Sequence, residues 1–532
     1  MDGVYDERIL APETTDQWLW ILVVAAFGAF FAAFGIGAND VANAFATSVG
    51  AKALTIKQAV VLAGIFEFLG AVFMGSHVTK TIRSGIADLL PLVKLGQIEC
   101  FEDNPGILMY GNMCVVYTTG TWLLLASFFE LPVSTTHSTV GGIVGMAMTY
   151  RGADCVVWHE EADLFPYLKG ISAIVASWVL SPVLSAVIAV ALFLFMRTFV
   201  LRSPDSHKRA INIFPFLVTA TIATNVFFIV YKGAKGLGLD DTSLSTAFAY
   251  ALGLGGGIGL LMIPTVLPRM RRDIAAKFNE DGTLKPVGKT HEELYTGRSH
   301  VAAVEEKEKQ SGMVGFVMNQ MNQDIHLSVK DSEYVSQIHD NAEKFDPRAE
   351  EAFKYVQVFT AICDSFSHGA NDVANAMGPF AGIYLVYTSG EVSSEGDLGN
   401  DAFWILALGG AGIVAGLAIY GYKIIAAIGV KIAKITPSRG FAIELGSAIM
   451  VIIGTRLEIP LSTTHCQVGA TTGVALLEGA GGVNGTVLGK AVFGWIITIV
   501  VCALTCSVLF AQGAYAPYVY DTIILPETTS SS

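Results

Sequence analysis

Apolar residues in this chain form long unbroken blocks, unlike the half-faced patterns of soluble helices or the alternation of exposed strands. The clearest are Trp18 to Phe34, Ala59 to Met74, Val115 to Phe129, Ile171 to Phe195, Ile213 to Val230, Ala247 to Val266, Phe403 to Ile419 and Ala491 to Phe510. Each approaches the ~20 residues that a helix needs to cross the hydrocarbon core of a bilayer. With the weaker segments between them, they predict an all-α polytopic membrane protein of roughly ten to twelve spans. The first block follows an acidic leader without a basic n-region or a small-residue cleavage site, so it reads as a span and not as a removable signal.

One stretch breaks this pattern. From Arg269 to Glu351 charges are dense and bulky apolar runs are few, as in a loop domain or linker. The chain therefore divides into a leader (1–16), a first membrane half (17–268), a hydrophilic loop (269–351), a second membrane half (352–512) and a tail (513–532). Arg269, Arg271, Arg272 and Lys277 flank a span directly, and Arg197, Arg202, Lys208 and Arg209 mark another connection. Basic flanks favour the cytoplasmic side, which puts the loop inside and the acidic termini outside. Within the loop, Met313 to Val329 reads as a short linker helix.

Internal repetition carries the strongest signal. Gly37-Ala-Asn-Asp-Val-Ala-Asn-Ala44 recurs letter for letter as Gly369 to Ala376, and Pro132-Val-Ser-Thr-Thr-His137 is matched by Pro460-Leu-Ser-Thr-Thr-His465. Val140, Gly141 and Gly145 have counterparts in Val468, Gly469 and Gly473. Two related halves follow, each with an Asn/Asp-rich break closing an apolar segment and a Ser-Thr-Thr start to a short Gly-rich one. A prolyl start, hydroxyl residues able to cap and only about a dozen apolar residues predict a half-helix or re-entrant hairpin. Paired interrupted segments in corresponding places point to the substrate site of a transporter.

Those motifs suit ions of both signs. Asp40 and Asp372, with Asn39 and Asn371, offer hard oxygen ligands for a cation such as sodium, and a bound cation offsets the cost of a carboxylate in an apolar segment. Ser134, Thr135 and Thr136, with Ser462, Thr463 and Thr464, offer hydroxyls and free amides at a helix start, which attract a small oxyanion. Polar residues also serve merely to fasten membrane helices together, but duplication at matching positions favours function. Glu67 and Glu444, each the only acid of its apolar run, are candidates for cation ligand or proton carrier. His368 precedes the second motif where the first has Ile36, so its role is one-sided. His137 and His465 read as structural hydrogen-bonding residues beside the caps.

Composition agrees with a membrane protein: 52% of the 532 residues are hydrophobic, 15% are charged, and 55 are glycine. A formal net charge of -13 excludes a nucleic-acid binder. The seven cysteines show no zinc-site spacing; Cys502 and Cys506 share a helix face as packing residues, while a Cys100 to Cys155 disulfide is open. The run Gly253 to Gly259 lies inside a span, where glycines permit close helix packing, and is not a nucleotide loop. The sequon at Asn484 would accept a glycan only if its loop faced outward.

On these residues the chain resembles the inorganic phosphate transporter (PiT) family of sodium- or proton-coupled symporters, whose signatures are the two repeated motifs. The likeness extends to Val175 to Pro182 and to Glu351 to Thr360. The resemblance implies inverted repeats, about twelve helices, a large cytoplasmic loop and a homodimer in the plasma membrane. It also implies phosphate held by Asp40, Asn43, Asp372, Asn375 and the Ser-Thr-Thr clusters. Cations are implied near Asn39, Asp40, Asn371 and Asp372, with Glu67, Glu444 and His368 tied to transport. The expectation is phosphate import by sodium symport through alternating access, with no cofactor. The rivals are a proton-coupled or sulfate permease, a phosphate sensor, or a hydrolase pairing Ser134 or Ser462 with its neighbouring histidine.

Overall fold

A computed structural model describes residues 15–84, 104–161, 167–231, 242–285, 313–322, 332–392 and 401–515, with a few isolated positions between them. The leader up to residue 14, residues 286–312 of the central loop and the tail from 516 lie outside the described residues. The first half consists of α1 (Leu19–Asn39), α2 (Val41–Gly50), α3 (Ile56–Met74), α4 (Ser76–Ser84), α5 (Pro105–Phe128) and α6 (Thr135–Arg151). After a small hairpin of β1 (Glu160–Glu161) and β2 (Leu168–Lys169) come α7 (Gly170–Met196), α8 (Ser206–Val230), α9 (Leu244–Thr265) and α10 (Leu267–Lys277). The central region contributes α11 (Met313–Met321) and α12 (Glu333–Asn341). The second half consists of α13 (Pro347–Ser389), α14 (Asp401–Tyr420), α15 (Tyr422–Ala426), α16 (Pro437–Arg456), α17 (Thr463–Leu476) and α18 (Gly485–Tyr515).

Among the described residues, eight helical segments are long and apolar enough to cross a membrane. α5 and α13 are also long enough, with 24 and 43 residues, but bury polar side chains against their neighbours. The outer surface is apolar: Phe493, Ile496, Val500, Leu504 and Val508 form an exposed stripe at helical spacing on α18, as a lipid-facing helix requires. The glycine-rich run lies in α9, where a Cβ at Gly255 or Gly259 would strike α8 at Ala223 or Thr219. Cys502 and Cys506 are buried, and Cys100 is bonded to Cys155.

The halves exchange helices. α1 packs on α5 of its own half and on α14 of the other; α13 packs on α16 of its own half and on α3 of the other. Likewise α6 lies against α18, and α7 against α17. The short helices start alike: Ser134 accepts from the His137 amide and Ser462 from the His465 amide, both at 3.3 Å. With 17 and 14 residues, α6 and α17 rise only about 25 and 21 Å, short of a full crossing.

One sequence expectation is corrected. The first motif does close a helix, with a single tightened turn at Asp40 where the Asn43 amide bonds the Asp40 carbonyl. The second does not: α13 runs unbroken through Asn371 and Asp372. The Asn371 amide group there reaches across to the Leu461 carbonyl, 3.0 Å away, and so does not compete with its own helix.

At the basic end of α7 the residues leading into α13 are clamped. Glu343 takes hydrogen bonds from Arg197 at 2.7 Å and from Arg202 at 2.8 and 2.9 Å. Buried Arg439 binds the Glu343 carbonyl and the Glu478 carboxylate. The hydrogen bonds from Arg202 hold the Glu343 carboxyl below its ordinary pKa. Its contribution to stability is therefore complete above the unfolded glutamate value, about 4.3, and is lost as pH falls below it. Glu343→Gln leaves Arg197 without its carboxylate and is expected to lower the thermal midpoint by a few degrees at neutral pH. That difference should shrink as pH falls through the lowered pKa of the folded-state carboxyl in a fluorescence melting series.

Candidate functional site

Both motifs and both caps meet in one buried cluster. Thr135 donates to Asp40 Oδ2 at 2.7 Å and accepts from Asn375 Nδ2 at 3.0 Å, so one hydroxyl joins the carboxylate of the first motif to the amide of the second. Thr464 of the other cap bonds Asp40 Oδ1, and Asn43 Nδ2 reaches Asp40 Oδ1 and Thr464 Oγ1, both at 2.9 Å. Thr463 faces both Asp372 oxygens at 3.1 and 3.2 Å. Each Asn thus touches the cap of the opposite half: Asn43 touches Thr464, and Asn375 touches Thr135 and Thr136. Thr136 donates to the Leu461 carbonyl at 2.8 Å, and Thr464 lies 3.0 Å from the matching Val133 carbonyl.

All these side chains are shut off from the surface. The carbonyl oxygens of Asn43, Asn371 and Asn375 have no hydrogen-bond partner, which leaves three hard acceptors pointing into the protein. Asn39 differs from Asn371: its amide bonds Ser127 and the Leu131 carbonyl, and its oxygen takes the Val133 amide, each at 3.0 Å. Asn39 therefore also fastens α1 to the strand-like lead into α6. Ser134 and Ser462 cap their helices, and the first amides of each helix lack intrahelical acceptors, as at any helix start.

Glu444 and Glu67 stand outside this cluster. Glu444 Oε1 receives Thr47 at 2.7 Å, Ser48 at 2.5 Å and Gln357 at 3.1 Å, while Oε2 receives Thr360 at 2.5 Å. Glu67 has a single donor, Ser365 at 3.0 Å, and its Oε1 has none. His368 sits between two acids of its own helix, Nε2 3.5 Å from Asp364 and Nδ1 3.7 Å from Asp372. Asp364 and Ser365 did not figure in the sequence reading, and Gln357 and Thr360 entered it only within the run Glu351 to Thr360. The signal for Gln357, Thr360 and Asp364 is the polar stripe 357, 360, 364, 368, 372, 375 along one face of α13.

The glycine that opens each motif is dictated by packing. A Cβ at Gly37 would lie 1.8 Å from the Ile413 carbonyl oxygen, and one at Gly369 would lie 2.0 Å from that of Glu67. Gly369→Ala must push α3 off α13 and is expected to cost about 1–3 kcal/mol, the usual range for overpacking a tight core. Gly256→Ala is the control: a Cβ there meets nothing within 4 Å, so its melting temperature should match the parent.

The histidines beside the caps point away from the serines. His137 Nδ1 bonds the Trp495 carbonyl and His465 Nδ1 the Trp178 carbonyl, both at 3.0 Å. No Ser-His pair for nucleophilic chemistry results. The sequon is also closed, because Asn484 is buried, donates to the Lys431 carbonyl at 2.9 Å and caps α18.

A multi-pass helical membrane protein whose centre holds duplicated carboxylates, amides and hydroxyl caps is a transporter by architecture. The phosphate transporter family profile matches residues 36–506. A phosphate permease homologue from Pyrococcus horikoshii is 33% identical over 93% of this chain and 97% of its own length. The phosphate-repressible phosphate permease of Neurospora crassa is 29% identical over 94% of this chain and 98% of its own. A solved structure described as the sodium-dependent phosphate transporter is 31% identical, with a TM-score of 0.66 over 95% of this chain and all of that one. The chain belongs to the phosphate transporter family, and it is a permease, not an enzyme.

Proposed function

We propose that the protein imports inorganic phosphate by symport with sodium, using alternating access of two inverted halves. One observation carries this reading: Asp40 and Asp372 share a sealed cluster, yet among the described residues the only buried Lys or Arg is Arg439, which is committed to Glu478. Two uncompensated carboxylates repel an anion unless cations arrive with it. Sodium ions on the free Asn oxygens and the Asp carboxylates turn the cluster attractive, and the Thr hydroxyls then serve phosphate. Coupling follows, since each ion lowers the cost of binding the other. Phosphate suits the walls better than sulfate, because its protonated oxygen donates to a carboxylate and sulfate has no proton to give.

Two signals support an orientation with the central loop in the cytoplasm. The Cys100 to Cys155 disulfide lies near the start of α7 and the basic residues Arg197 and Arg202 at its far end. Disulfides mark the oxidising side and basic flanks the cytoplasmic side, in keeping with a plasma-membrane protein. The test is labelled-phosphate uptake into proteoliposomes, with sodium replaced by choline and pH varied separately. Uptake that requires sodium at every pH supports symport; uptake indifferent to sodium and driven by a pH gradient transfers the assignment to proton coupling.

A further inference from the structure

The two halves are not chemically equal around the central cluster. The close approaches of Ile413 to Gly37 and of Glu67 to Gly369 make Ile413 the counterpart of Glu67. By the repeat of the motif, Ala32, Ala33 and Ile36 are the counterparts of Asp364, Ser365 and His368. By the repeat of the caps, Thr119 corresponds to Ser447. The second motif is thus flanked by two carboxylates and an imidazole, Glu67 from α3 with Asp364 and His368 from α13, where the first is flanked by aliphatic side chains, so this group is not a by-product of duplication.

Asp364 is fully buried, and neither of its oxygens accepts a hydrogen bond. A bare carboxylate in such a place is strongly unfavourable without a compensating positive charge. Two further groups converge on it unpaired. The His368 ring, with no hydrogen bond at either nitrogen, brings Nε2 to 3.5 Å from Asp364 Oδ1. The buried Ser447 hydroxyl from α16 faces the carboxylate without a well-formed hydrogen bond to it or to any other group. Among the described residues no three His, Cys, Asp or Glu side chains are grouped to hold a metal ion, and one carboxylate balances a single positive charge, which favours a monovalent ion over a divalent one.

We propose that Asp364, Ser447 and the His368 ring form a one-sided site for a monovalent hard cation, sodium in this protein, distinct from the central Asp40 and Asp372 carboxylates. Asp364 lies two turns before Asp372 on α13, about 12 Å along the axis, close enough for the bound charge to favour loading of the central cluster. The inference rests on the sodium-coupled reading above. Under it, this site adds a coupling ion that the pseudo-two-fold arrangement alone does not provide.

Radioactive sodium binding to the purified full chain in lipid nanodiscs tests it. Asp364→Asn is expected to bind about one sodium ion fewer than the parent at saturation, and in proteoliposomes its uptake should rise less steeply with sodium. Ser447→Ala, which keeps the carboxylate, should weaken that ion several-fold without changing the number bound. It guards against an Asp364 variant that fails to fold. Equal sodium numbers in the parent and Asp364→Asn, with Ser447→Ala unchanged, overturn the site while leaving sodium symport intact. A parent protein that binds no sodium yet takes up phosphate overturns both this site and the sodium reading beneath it.

Discussion

Asp40→Asn and Asp372→Asn should each reduce phosphate uptake by roughly 100-fold or more, equivalent to about 2.7 kcal/mol of lost transition-state or binding free energy, while leaving the protein folded. The side chains differ little in volume, so packing is preserved. What changes is charge and hydrogen bonding. Asp40 accepts from Thr135, Thr464 and Asn43. An amide nitrogen facing any of these donors loses a hydrogen bond and gains a conflict. More important, under the proposed symport each carboxylate is a cation's counter-charge, and removing it leaves phosphate without the positive field that admits it. Folding should tolerate the change, because an isolated buried charge is costly and its neutral analogue is not. The thermal midpoint measured without sodium should therefore match or exceed that of the parent. Because the two motifs are joined through Thr135 and Asn375, the losses should not be additive. Uptake near the parental rate in either variant would show that the two carboxylates do not form one site.

Much of this arrangement was readable from the letters, because repetition and hydrophobic block length are sequence properties. The motif copies, the caps and most membrane helices announced themselves in that way. Burial and long-range pairing are not sequence properties, and the rest depended on them. The two Asn-Asp motifs look identical, yet one ends a helix and the other sits in the middle of α13. The difference lies in what surrounds them and in the long polar face of α13. That face conceals Gln357, Thr360 and Asp364, since scattered polar residues in an apolar run also serve to tie membrane helices together. The partners of Glu444 come from residues 47, 48, 357 and 360, a combination no local pattern indicates. The disulfide was open until Cys100 and Cys155 met, and the sequon until Asn484 proved buried.

Glu444→Gln should raise the sodium concentration needed for half-maximal uptake at least about tenfold, equivalent to ~1.4 kcal/mol, with partial recovery at high sodium. Four side chains donate to this carboxylate, and three are hydroxyls free to rotate. If Thr47, Ser48 and Thr360 turn their protons away, their oxygens join the Glu444 carboxylate around a common centre. The Gln357 carbonyl oxygen, unpaired as it stands, can complete a five-oxygen shell of the kind hard cations take. Occupied by sodium, the site is a coordination sphere; empty, it is a hydrogen-bonded knot joining α2, α13 and α16. Under the proposed symport the same residues support two states, and sodium selects between them. Glutamine keeps the shape but removes the charge, and its amide nitrogen meets donors on every side, so both states suffer. Thr360→Ala removes one ligand and should shift sodium dependence less, in the same direction. A glutamine variant with an unaltered sodium curve would reduce Glu444 to a structural tie between helices.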